Sequence, residues 1–109
     1  MEISLRDLGK NKILVVEGDV DLYNWSELKK SIFEQLEEQK VKSLIVDMKG
    51  INYMDSSGIG ALVAGQKKSR AQGSRFAIMN IREDVMNILR LATLDQFFTI
   101  YEDESQIAD

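Results

Sequence analysis

Short apolar runs alternate along this chain with stretches of helical length. The run Ser43-Leu44-Ile45-Val46-Asp47-Met48, with Val41 leading in, is apolar through its centre. That pattern suits a strand buried on both faces, as in a parallel sheet. Ile13-Leu14-Val15-Val16 precedes it, while Phe76-Ala77-Ile78-Met79-Asn80 and Phe97-Phe98-Thr99-Ile100-Tyr101 follow. Between them, Trp25, Leu28, Ile32 and Leu36 recur at three- and four-residue spacings, which predicts an amphipathic helix from Trp25 to Gln39. Asn24 or Ser26 can cap it. A second helix is predicted from Ser57, with Ile59, Leu62, Val63 and Gln66 on one face, ending near Gln72 with Gly73 just past it. Val85, Ile88, Leu89 and Ala92 mark a third. Parallel strands need crossovers of this length, and such crossovers are right-handed.

At the front, Ile3-Ser4-Leu5 and the run at Ile13 flank the turn sequence Gly9-Lys10-Asn11-Lys12, which reads as an antiparallel hairpin. Gly18 to Asn24 and Lys49 to Asp55 read as loops, and Glu102 to Asp109 as an acidic, weakly helical tail. The expectation is one α/β domain over residues 1–109. Its sheet is mixed and mostly parallel, with an N-terminal antiparallel hairpin strand and helices packed on it.

Composition narrows the chemistry. The 109 residues include no cysteine, histidine or proline. Thiolate nucleophiles, disulfides, cysteine zinc sites, Ser-His-Asp triads and HExxH metal sites are therefore unavailable within this chain. Fourteen Lys and Arg against eighteen Asp and Glu leave a net charge of −4, a poor surface for a phosphate backbone. The N-terminus has neither the apolar core of a secretory signal nor an Arg-rich transit pattern. The charge-poor stretch Ile51–Gln66 falls short of the roughly 20 apolar residues of a spanning helix. Neither a nucleic-acid partner nor a membrane is expected.

In sheets of this kind, ligands and partners meet the loops after the carboxyl ends of the strands. Two such loops stand out: Gly18-Asp19-Val20-Asp21-Leu22-Tyr23-Asn24 and Tyr53-Met54-Asp55-Ser56-Ser57-Gly58-Ile59-Gly60. Helix capping accounts for one of Asp55, Ser56 and Ser57, at about 1 kcal/mol, and leaves at least one hydroxyl unexplained. A phosphorylation site is the alternative. A phosphate at a helix N-terminus suits the free N–H groups, while its charge of about −1.5 to −2 alters what can dock there. Other motifs fail: no Gly-x-Ser-x-Gly, no P-loop lysine, and Val63 where a dinucleotide fingerprint needs its third glycine. Gly60, Ala61, Ala64 and Gly65 give the helix a small-residue face, for close packing or flat docking. Asp19, Asp21, Asp47 and Asp55 read as turn and cap residues at strand ends rather than a Mg²⁺ site. Trp25 reads as a core residue.

Met54-Asp55-Ser56-Ser57-Gly58-Ile59-Gly60, preceded by Leu44-Ile45-Val46-Asp47, resembles the STAS family, and within it the stand-alone anti-sigma factor antagonists of bacterial partner switching. Gly18-Asp19-Val20-Asp21 with Tyr23-Asn24 is similar to the family's first functional loop, and Leu91-Ala92-Thr93-Leu94-Asp95 with Phe98 to the segment entering the last strand. The resemblance implies a cytoplasmic binding protein with no catalysis and no cofactor of its own. Its implied partners are a serine kinase that doubles as anti-sigma factor, with an ATPase-type fold, and a metal-dependent serine phosphatase. The implied acceptor is Ser56, with Ser57 as a second candidate. The implied partner-binding set is Asp21, Tyr23, Asn24, Met54, Asp55, Ser56, Ser57, Gly58, Ile59 and Gly60. Two positions depart from the family: Trp25 is bulky where relatives often have a small residue, and Thr93 stands where many have glycine. The rival expectations are a small-ligand or nucleotide-binding module of the same family, and a scaffold subunit of a signalling complex.

Overall fold

A computed structural model describes residues 1–107. Its elements follow the predicted order: β1 (Glu2–Leu8), β2 (Asn11–Val20), α1 (Trp25–Phe33), β3 (Ser43–Met54), α2 (Ser56–Gln72), β4 (Arg75–Met79), α3 (Glu83–Leu91) and β5 (Thr99–Tyr101). A π-helical turn over Glu34–Glu38 continues α1, and a 3-10 turn follows β5 at Glu104–Gln106. The five strands lie in the order β1-β2-β3-β4-β5. β1 and β2 are antiparallel and the other pairs are parallel. This is the expected mixed α/β sheet.

Strand order then dictates where the helices go. Each crossover steps to the next strand in the same direction, so right-handed connections must all pass over one face. Leu28, Ile32 and Leu36, Ile59 and Leu62, and Val85 and Leu89 accordingly share one core with Leu14, Val16, Leu44, Val46 and Ile78. Among the described residues, no helix longer than the terminal turn covers the other face. There Ile13, Ile45, Ala77 and Met79 are buried with Leu8, Val15, Tyr101 and Ile107 packed against them. β3 is buried on both sides, as its apolar run demands, although only one side is helical.

The helix predicted from Trp25 to Gln39 is α-helical only to Phe33, and three strand boundaries also differ from the sequence reading. β2 runs on to Val20 and β3 to Met54, where loops were expected after Val16 and Met48. Register shifts between Val15 and Glu17 and between Gly18 and Asp19 interrupt the alternation and hide the continuing strands. A Cβ on Gly50 would lie 2.8 Å from Glu17 Cγ, so glycine permits that close passage. β5 is shorter than predicted: Phe97 and Phe98 precede it, packed edge to face at 5.2 Å between centroids. The predicted acidic tail contains the 3-10 turn, and its last two residues lie outside the described part. Among the described residues, no helix is long and apolar enough to cross a membrane.

Candidate functional site

The two loops singled out above converge at the carboxyl ends of β2 and β3. Asp55 joins them. It occupies the N-cap of α2, with extended backbone (φ −96°, ψ −175°). Its Oδ1 accepts the amides of Ser57 at 2.9 Å and Gly58 at 3.3 Å. Its Oδ2 accepts the Leu22 amide at 3.1 Å, from the other loop. One carboxylate therefore satisfies two helix-terminal donors and fixes the first loop against the helix start.

The first loop is locked from within. Asp21 Oδ1 accepts the Tyr23 amide at 2.9 Å, an Asx turn. Asn24 Oδ1 accepts the Asp21 amide at 2.9 Å, and its Nδ2 donates to the Asp19 carbonyl at 2.9 Å. Asn24 does stand at the N-cap position of α1, but its side chain makes no capping bond. The expected cap is spent on the loop, because Asn24's amide reaches back to β2 instead. With both polar side chains turned inward, the loop tip presents Leu22 at 64% exposure and Tyr23 at 91%. Tyr53, from the end of β3, is 54% exposed.

Ser56 is the first residue of α2 and is exposed; Ser57 is half-buried. Since Asp55 supplies the cap, neither hydroxyl is needed for it. Gly60 is exposed one turn further along the same face, and a Cβ there would meet nothing within 4 Å. Met54, Gly58 and Ile59 are buried, so the structure seats them beneath the site rather than on its surface. Gly58 has a packing reason: a Cβ would lie 2.7 Å from Met54 Cγ and 2.9 Å from Val20 Cγ1. The small-residue face of α2 thus divides. Gly65 packs inward, where a Cβ would lie 2.9 Å from both Ile32 and Phe76, while Gly60 faces out.

The four aspartates do not form a cluster. Asp47 lies on the far face of the sheet, its Oδ1 accepting Asn80 Nδ2 at 2.8 Å and the Lys49 amide at 3.1 Å. Asp55 and Asp21 serve the amides just described. Among the described residues no three acidic side chains converge as a metal site. Trp25 is half-buried against the main core, with Lys29 Nζ 6.0 Å from its ring centroid. Leu22 and Tyr53 are surface candidates that sequence reasoning passed over. Both lie in the two segments singled out from the sequence, Leu22 in the first and Tyr53 at the end of β3 in the second.

The family model described as STAS domain matches residues 2–107. An anti-sigma-B factor antagonist of Listeria monocytogenes is 28% identical over 98% of this chain and 92% of its own length. The structure of tm1081 from Thermotoga maritima superposes with a TM-score of 0.88 at 22% identity, covering 95% of this chain and 89% of that one. The Bacillus cell fate determinant SpoIIAA in its phosphorylated form gives a TM-score of 0.73 at 16% identity, with 95% of each chain covered.

Proposed function

The chain belongs to the STAS domain family, and from that membership we propose that it is an anti-sigma factor antagonist controlled by phosphorylation of Ser56. The observation that carries the reading is the pairing of an exposed, uncommitted Ser56 hydroxyl with an Asp55 whose oxygens are already engaged. The names of its relatives, and the phosphorylated state of a protein of the same fold, support it.

In this reading the unphosphorylated chain binds a serine kinase that is also an anti-sigma factor, and so frees that protein's client. Leu22, Tyr23 and Tyr53 supply the apolar contact, and Ser56 lies inside it. Asp21, Asn24 and Asp55 hold the loops in the shape that binds. The γ-phosphoryl group passes from the kinase's nucleoside triphosphate to Ser56 Oγ, the diphosphate leaves, and the hydroxyl proton goes to a base of the kinase. The phosphate adds about −1.5 to −2 charge beside the Asp55 carboxylate. The helix N-terminus tolerates the charge; a docked protein must desolvate it. A loss of about 1.4 kcal/mol in binding is already tenfold, so one dianion is enough to switch partners. Dephosphorylation by a metal-dependent phosphatase restores the binding form.

The test is a pull-down from a bacterial host with three baits, wild type, Ser56→Ala and Ser56→Asp, with phosphate mapped on the wild-type chain. A kinase-fold partner held by wild type and Ser56→Ala, lost by Ser56→Asp, with phosphate on Ser56, is the expected result. The same partners on all three baits and no phosphate would overturn it. Saturable binding of free ATP or GTP would then support the ligand-module reading.

A further inference from the structure

We propose that the free edge of β1 pairs antiparallel with the β1 of a second copy, making a continuous ten-stranded sheet across a two-fold axis. Among the described residues β1 forms one edge of the sheet, so half of its backbone N–H and C=O groups have no strand beside them. Its faces are set by its pairing with β2. Ile3 and Leu5 lie opposite Val16 and Leu14, on the helical face. Glu2, Ser4 and Arg6 lie opposite Glu17, Val15 and Ile13, on the other.

Two observations single out the occupant and the register. Leu5 is 46% exposed, an apolar side chain unclaimed by the core. Glu2 sits directly opposite Glu17, a like-charge pair, and among the described residues neither carboxylate has an ion-pair partner. An antiparallel pairing centred on Ser4 answers both. It sets Glu2 against the second copy's Arg6, Ile3 against its Leu5, and Ser4 against Ser4, each pair on a common face. A register centred on Leu5 also covers Leu5, with the second copy's Leu5, but sets Ile3 against Asp7 and Glu2 against Leu8, so only the register centred on Ser4 brings a cation to Glu2. Arg6 Nη2 already meets Glu104 at 3.0 Å and lies 3.9 Å from Asp47 Oδ2, and the guanidinium's remaining N–H groups are the donors for Glu2. On the helical face, the second copy's Leu5 arrives at the mouth of a groove of about 230 Å³ between Ile3, Leu5, Leu14 and the α1 side, Ser31, Glu34 and Gln35. Because the strands run oppositely, the two Ser56 sites point to opposite ends of the joined sheet, and both stay open.

Sedimentation equilibrium of the purified chain, raised to about 200 µM, reads the association directly. Mass rising from 12.4 kDa toward twice that value is expected. Leu5→Lys should weaken the dimer by about tenfold or more while keeping the wild-type circular dichroism. The chain has no cysteine, so Ser4→Cys adds a single thiol on the axis, and diamide should link it into a dimer. Asp7→Cys places its two thiols about 20 Å apart and should not link. Wild type that stays at monomer mass overturns the proposal. So does a dimer that Leu5→Lys leaves intact, or linking of Asp7→Cys as readily as Ser4→Cys.

Discussion

Thr93 and Gly73 solve the same local problem with different residues. Each follows a helix and reverses the chain with a positive φ, +57° for Thr93 and +73° for Gly73. In each, the next residue's amide bonds back across the turn, Leu94 to the Leu89 carbonyl at 2.7 Å and Ser74 to the Ser69 carbonyl at 3.0 Å. Glycine adopts that backbone freely; a β-branched residue crowds its own carbonyl. Thr93→Gly should therefore raise stability by about 1 kcal/mol, a rise in Tm of roughly 4–8 °C for a domain of this size, read by thermal melting. Asp55 works in the opposite sense. Asp55→Ala removes the cap and releases Leu22, and should cost about 1–2 kcal/mol in chemical denaturation. If the loop shape matters for docking, the same change weakens partner binding without touching the Ser56 hydroxyl.

Helix α2 carries two glycines of opposite meaning, and the element as a whole explains them. Its N-terminal turn rests on Val20 and Met54, so Gly58→Ala should lower stability by about 1–2 kcal/mol through that clash. Gly60→Ala meets open space and should raise it by about 0.5–1 kcal/mol through helix propensity alone. Paired melts of the two variants check the contrast, and a stabilised Gly60→Ala that binds poorly would assign Gly60 to the docking surface. The C-terminal 3-10 turn has its own signature. The Ser105 hydroxyl and amide both donate to Asp103, holding that carboxyl below its ordinary value. A depressed folded pKa stabilises the turn above the ordinary carboxylate range, near 4, and the effect is lost as pH falls through the lower folded value. The Ser105 amide resonance, followed by NMR through an acid titration, should shift in that lower window.

At the scale of the whole molecule, the proposed switch is separable from the fold. Ser56 is exposed at a helix start, where negative charge is favoured, so Ser56→Asp should leave stability unchanged or raise it by up to about 1 kcal/mol. Its Tm set beside its partner affinity distinguishes a switch from simple unfolding: the first holds while the second falls. The strand and helix order was legible in the sequence because a run such as Leu44–Met48 and a three-four spacing such as Leu28, Ile32 and Leu36 are local patterns with one good solution each. So was the Asp55 cap at the start of α2, since Asp, Ser and Gly at a strand-to-helix junction are read from neighbours in the chain. Features that depend on residues far apart in the chain were not legible there. The register shifts that carry β2 and β3 past their apolar runs arise between strands, not within either. The collection of all three α-helices on one face follows from strand order together with crossover hand. Asp55 could be read as a cap from its neighbours; its hold on Leu22, 33 residues away, could not. Local residues determine which elements form, because their periods must match a face to be buried. Which side chains end beneath the site and which above it is set by packing between elements that the chain brings together only when folded.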